Sequence, residues 1–167
     1  VPIVVEVRGE IYWPTEDFRR FNRQREEAGE ATFANPRNAT AGTLKQLDPR
    51  NLAGRGLMFV AHGVGRLEPM SIRSASELFD RFDGWGIPTN PHRFTAGSID
   101  EVIDRLDSWD RERRGLPYET DGLVIKVDSF SQRDRLGTTS RYPRWCIAYK
   151  FAAEQAETVL EAVDFQV

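Results

Sequence analysis

Asp121-Gly122-Leu123-Val124-Ile125-Lys126-Val127 is the stretch from which the fold of this chain is most directly read. Alternation divides it into two faces, Leu123, Ile125 and Val127 on one and Gly122, Val124 and Lys126 on the other, which is the period of a β-strand. The second face offers a flat backbone approach, a β-branched side chain and an ammonium in a row. That row suits a planar ring lying on Val124 with a hydrogen-bonding charge beyond it. On this stretch alone, the simpler reading is an edge face with a solvated lysine.

Working outward, Trp145–Phe151 alternates just as cleanly. Trp145, Ile147, Tyr149 and Phe151 form a face expected to hold the core, while Cys146, Ala148 and Lys150 face elsewhere. Of the 23 cations only Lys45, Lys126 and Lys150 are lysines. Two of the three therefore stand on strand faces turned away from the apolar ones, where an ammonium can meet a phosphate as a point charge. Val4–Ile11 reads as a third strand, with Val5, Val7, Gly9 and Ile11 against Glu6, Arg8 and Glu10. Its carboxylates either accept hydrogen bonds from sugar hydroxyls or form a solvated charge ladder. Leu57–Val60 is a short apolar strand running into His62-Gly63-Val64-Gly65, and Thr158–Val167 alternates as another. Strands at the two ends of the chain predict a piece of a longer polypeptide.

Helices lie between these strands. Thr15–Ala28 carries Phe18 and Phe21 inward and stops at Gly29. Ser74 with Glu77, and Ser98 with Glu101, are capping boxes. The first opens a helix bearing Leu78, Phe79 and Phe82 and closed by Gly84. The second opens one bearing Val102, Ile103, Leu106 and Trp109, with Gly115 past its end. Phe33-Ala34-Asn35-Pro36-Arg37-Asn38-Ala39-Thr40-Ala41-Gly42 reads as a loop, extended at Asn35 before proline, offering backbone amides and one guanidinium to a phosphate. Without regular βαβ spacing, the mixture predicts an α+β fold of mixed, largely antiparallel sheets with flanking helices.

Composition excludes several classes. The 167 residues suit one domain, and 40% hydrophobic with 29% charged residues sustains a core. Cys146, His62 and His92 provide neither a disulfide framework nor a structural zinc site. No apolar run reaches the roughly 20 residues that span a bilayer, and no signal-peptide pattern opens the chain. No membrane partner and a cytoplasmic setting are expected. A net charge of −3 gives no electrostatic footprint of nucleic-acid binding. Neither a P-loop, nor a dinucleotide fingerprint, nor a nucleophile elbow is found.

Five ordered segments carry a resemblance: Val7-Arg8-Gly9-Glu10, Phe33-Ala34-Asn35-Pro36-Arg37-Asn38, Leu47-Asp48-Pro49-Arg50, Asp121–Val127, and Pro143-Arg144-Trp145 through Lys150-Phe151. Together they resemble the adenylation domain of bacterial NAD-dependent DNA ligases. The resemblance implies a nucleotidyltransferase (ATP-grasp-like) fold, here a partial domain over residues 1–167, with about 158–167 leading toward an absent oligonucleotide-binding fold. It implies transfer of AMP from NAD to a lysine, then to a DNA 5′-phosphate, then sealing of a nick in replication and repair. NAD and Mg2+ are the implied cofactors, nicked double-stranded DNA the implied partner, a monomer the implied state and a bacterial cytoplasm the implied location. Zinc is expected only in parts of the parent outside this chain.

Residue by residue, Glu10 matches the carboxylate that holds the adenosine ribose, and Val124 the apolar residue under the adenine. Lys126 matches the lysine at the adenine edge and Lys150 the one reaching the phosphates. Asp121 matches an acidic residue associated with metal and catalysis. By alternation it lies on the other parity from Lys126, so it must sit at the mouth of the strand or after a local bend. Arg113 and Arg37 match arginines linked to catalysis or to the nick phosphates. Lys45 stands where the family has a second arginine, and His62 where it usually has a tyrosine that stacks on adenine. The family's nucleophile is the lysine of Lys-x-Asp-Gly, and none of the three lysines has that context. The chain alone is therefore expected to be inactive. A sister nucleotidyltransferase using ATP, a non-catalytic nucleotide or nucleic-acid binding module, and a purely structural domain are the alternatives.

Overall fold

The computed structural model describes residues 3–69, 71–152 and 157–165. Among the described residues, four strands pair as two antiparallel ribbons. Strands β1 (Val4–Tyr12) and β2 (Met58–Glu68) form one, and β3 (Gly122–Lys126) and β4 (Cys146–Lys150) form the other. Five helices flank them: α1 (Thr15–Glu27), α2 (Pro36–Leu44), α3 (Ala75–Gly84), α4 (Ile99–Glu112) and α5 (Phe130–Leu136). The α+β class and the antiparallel pairing agree with the sequence reading.

The core forms where amphipathic elements meet. The inward row of α3, Leu78 and Phe82, packs on Ala61, Leu67 and Ile72, with Val5, Val7, Phe59 and Val64 from the β1–β2 ribbon around them. Phe82 is fully buried. A second cluster joins Trp13, Phe18 of α1 and Ala39 of α2, with Phe21, Phe33 and Leu57 against it. Both predicted caps are made: the Ser74 and Ser98 side chains accept from the amides of Glu77 and Glu101. Asp128, just after β3, accepts from the amide and hydroxyl of Ser76, both at 2.8 Å. Together with the Ala75 amide on the Asp128 carbonyl, this ties the β3–β4 ribbon to the N-terminus of α3.

Five expectations are corrected. Residues 36–44 are helical rather than a loop. Asn35 is extended, as the following proline requires, but its side chain caps the Asn38 amide, and Pro36 fills the first helical turn, where the missing N–H costs nothing. Strand β2 runs on through Gly63 and Gly65 to Glu68, because Gly63 pairs with Arg8 and the ladder with β1 resumes at Leu67 after an irregularity that takes in Gly65. Ile103 is half exposed instead of inward. The face of Ile147 (65% exposed) and Tyr149 is likewise open. Alternation establishes that a strand is amphipathic, whereas burial also needs a neighbour, and among the described residues none covers that face. Residues 157–165 have no regular structure, since no described strand pairs with them; Gln166 and Val167, the end of that expected strand, lie outside the described residues. Helix α5 was not anticipated, although Ser129 caps it through the Gln132 amide and Gly137, with φ near 68°, ends it.

Candidate functional site

Antiparallel register puts directly opposed residues on one face. In the β3–β4 ribbon Gly122 opposes Lys150, Val124 opposes Ala148, and Lys126 opposes Cys146. Lys126, Val124 and Lys150 therefore share a face, with the two lysine rungs about 14 Å apart along the strands and Val124 midway. Val124 is 60% exposed, an aliphatic platform without a cover among the described residues. Gly122 is required here for space: a Cβ built on it falls on the carbonyl oxygen of Tyr149.

Each end of this face holds its lysine differently. The Lys150 Nζ lies 2.5 Å from Asp121 Oδ2, with both side chains mostly exposed. The hydrogen bond from Lys150 holds the Asp121 carboxyl below the usual carboxylate range, and the Arg37 guanidinium in the first turn of α2 adds a smaller push the same way. Asp121 sits at the mouth of β3, one of the two places its parity allows, and its carbonyl accepts from the Phe151 amide at 3.0 Å. Arg113 joins the same corner. It donates to Asp110 at 2.8 Å and to the Thr120 carbonyl at 3.0 Å, with its guanidinium 4.9 Å from the Phe151 ring.

At the other end, Lys126 is half-buried and donates to the carbonyl of His62 at 2.8 Å. No carboxylate pairs with it among the described residues. Burial pushes its ammonium below the ordinary lysine value, and Arg133 adds to that effect. A neutral carbonyl leaves the charge and further N–H donors available to a ligand. The contact has a backbone cause. The β1–β2 ladder steps from Arg8↔Gly63 to Gly9↔Ala61, so His62 is the extra residue of a β-bulge. Lys126 thus bridges the two ribbons. Glu10 stands exposed on β1 across from Val60, two positions along β2 from His62.

Of the residues singled out in the sequence, the structure pairs Asp121 with Lys150, sets Arg113 on the carbonyl of the adjoining Thr120, and links Lys126 with the backbone of His62. Lys45 stands apart: it ends α2, about 12 Å along the helix axis from Arg37. Two residues of the neighbourhood were missed. Arg133 donates to the Val127 carbonyl and lies 4.4 Å from the Trp145 ring, bracing the end of the ribbon behind Lys126. Asp128 fixes that end to α3. Arg133 falls three residues after Phe130, on the helix that the Ser129-x-x-Gln132 box signals, whereas nothing local announces Asp128. Among the described residues no group of three or more His, Cys, Asp or Glu side chains is placed to hold a metal.

The family model for the NAD-dependent DNA ligase adenylation domain matches residues 1–154. The chain is 46% identical to a DNA ligase of Brevibacillus brevis, over 99% of this chain and 25% of that protein. It is 49% identical to one of Desulforamulus reducens, over 98% and 24%. Against one of Akkermansia muciniphila it is 48% identical, over 99% and 21%. The chain spans about a quarter of the length of these curated relatives.

Proposed function

This chain belongs to the NAD-dependent DNA ligase adenylation-domain family, and from that premise we propose that it supplies the adenosine and phosphate pocket of an enzyme that seals nicks in duplex DNA. The observation that carries the reading is the shared face of the β3–β4 ribbon, with Val124 between Lys126 at one end and the Lys150–Asp121 pair at the other.

Adenine lies on Val124 with its edge toward Lys126 and one side toward His62, while Glu10 accepts from the ribose hydroxyls. The Lys126 charge, already desolvated and bound only to a carbonyl, gives a hydrogen bond to the base without first breaking an ion pair. A lysine amine supplied from outside this chain attacks the adenylyl phosphorus of NAD. A P–N bond forms, the bond to the nicotinamide mononucleotide oxygen breaks, and the nucleotide leaves. Negative charge grows on the phosphate oxygens in that step, and Lys150 is the fixed cation toward them. Arg37, in the first turn of α2, serves the nick phosphate, and Lys45 adds charge without a bidentate fork. A magnesium ion fits a site with one protein carboxylate, because it binds through one or two carboxylates plus phosphate oxygens and water. Asp121 would be that ligand, and the ion would add charge neutralisation at the phosphate.

Two substitutions in the full-length protein test the assignment. Lys150→Ala should slow enzyme-adenylate formation far more than Arg20→Ala, whose guanidinium pairs with Asp17 on the surface of α1. Lys126→Ala should mainly weaken NAD binding. Equal rates in the first comparison, or unchanged NAD affinity in the second, would overturn the respective role.

A further inference from the structure

Arg113 sits where the fold converges on the Asp121–Lys150 corner, and two of its guanidinium nitrogens donate inside the protein. Its side chain is only 17% exposed. Nε donates to Asp110 Oδ1 at 2.8 Å and one terminal nitrogen donates to the Thr120 carbonyl at 3.0 Å, while the guanidinium lies over the Phe151 ring. Thr120 immediately precedes Asp121 and Phe151 immediately follows Lys150, and the Phe151 amide donates to the Asp121 carbonyl. One cation therefore grips the segment entering one member of the ion pair and the segment leaving the other. What fixes that cation is Asp110, in the last turn of α4.

We propose that Asp110 is a positioning residue: it anchors Arg113, which in turn holds the ends of β3 and β4 so that Asp121 and Lys150 stay paired. Two hydrogen bonds at different nitrogens of a planar guanidinium set its orientation as well as its position. Without the Asp110 carboxylate, Nε loses its acceptor and the head group turns about its last bonds. The clamp on Thr120 and Phe151 then loosens. The inference rests on the reading of Lys150 as the cation at the adenylyl phosphate, and deepens it.

The test uses the full-length protein with Asp110→Asn, Asp110→Glu and Glu112→Gln. Glu112 is the control, because it makes a comparable ion pair on the same helix, with Arg105, that touches neither strand. Amide hydrogen exchange at Phe151 should accelerate roughly three- to fivefold in Asp110→Asn, the scale of losing a partly exposed ion pair. The Val127 amide, bonded to the Trp145 carbonyl at the opposite end of the ribbon, should keep its rate. Asp110→Glu should restore part of the protection and Glu112→Gln should change neither amide. In the same proteins kcat for enzyme-adenylate formation should fall with Asp110→Asn while KM for NAD holds. Unchanged Phe151 exchange, or equal acceleration at Phe151 and Val127, overturns the clamp. If the unmutated protein forms no adenylate, the functional reading fails while the exchange data still decide the clamp.

Discussion

Replacing Gly122 with alanine puts a methyl group onto the carbonyl oxygen of Tyr149 on the neighbouring strand. The obstacle is backbone on both sides, so no rotamer change relieves it and the ends of β3 and β4 must separate. Separation sacrifices the Gly122–Lys150 rung and the Phe151-to-Asp121 hydrogen bond beside it. A lost backbone hydrogen bond is worth about 1 kcal/mol net, and overpacking adds a similar cost or more, for a total of about 2–4 kcal/mol. Gly63→Ala is the matched control. That glycine also lies in a strand, but a Cβ there meets nothing within 4 Å, so its effect should stay within about 0.5 kcal/mol. Urea unfolding followed by tryptophan fluorescence reads both, as shifts in midpoint at constant slope. A Gly122→Ala protein as stable as Gly63→Ala would refute the close approach on which the lysine face depends.

Further outcomes follow from burial and charge. Phe82→Ala, at a fully buried position among Leu78, Ala61 and Leu67, should cost about 3–5 kcal/mol, whereas Ile147→Ala on the open face of β4 should cost under about 1 kcal/mol; similar losses in chemical denaturation would contradict the placement of the core. Ser74→Ala should destabilise by about 1 kcal/mol through loss of the α3 cap, with Thr restoring most of it. The lowered Asp121 carboxyl contributes stability above the ordinary carboxylate range, and that contribution disappears as pH falls through its depressed value. Because the pair is exposed, the contribution is at most about 1 kcal/mol. Asp121→Asn should therefore trail the unmutated protein slightly at neutral pH and match it in strong acid; an unchanging gap would rule out the pairing.

Period-two alternation alone separated Val124 and Lys126 from the apolar face of their strand, and Lys150 from its own. Their meeting on one surface needed the register, which no local pattern specifies. The parity of Asp121 allowed the strand mouth or a local bend, and it lies at the mouth; the reach of its carboxylate to Lys150 depends on Lys150 lying across from Gly122. Asn35-Pro36-Arg37-Asn38 contained its cap and its first-turn proline in plain view, and the extended conformation required at Asn35 drew attention away from the helix it begins. The bulge at His62 was not legible, because it arises from a mismatch between two strands 50 residues apart in the chain. The clamp of Arg113 was hidden for the same reason, since Asp110, Thr120 and Phe151 converge only after β3 and β4 pair.

A pocket in which AMP is taken from NAD should leave a covalent trace on the protein. Intact mass spectrometry of the polypeptide extended upstream, incubated with magnesium and either NAD or ATP, tests it most directly. The expected result is a covalent gain of one AMP from NAD and none from ATP. An adduct from ATP alone, or none from either while NAD still binds, would contradict it.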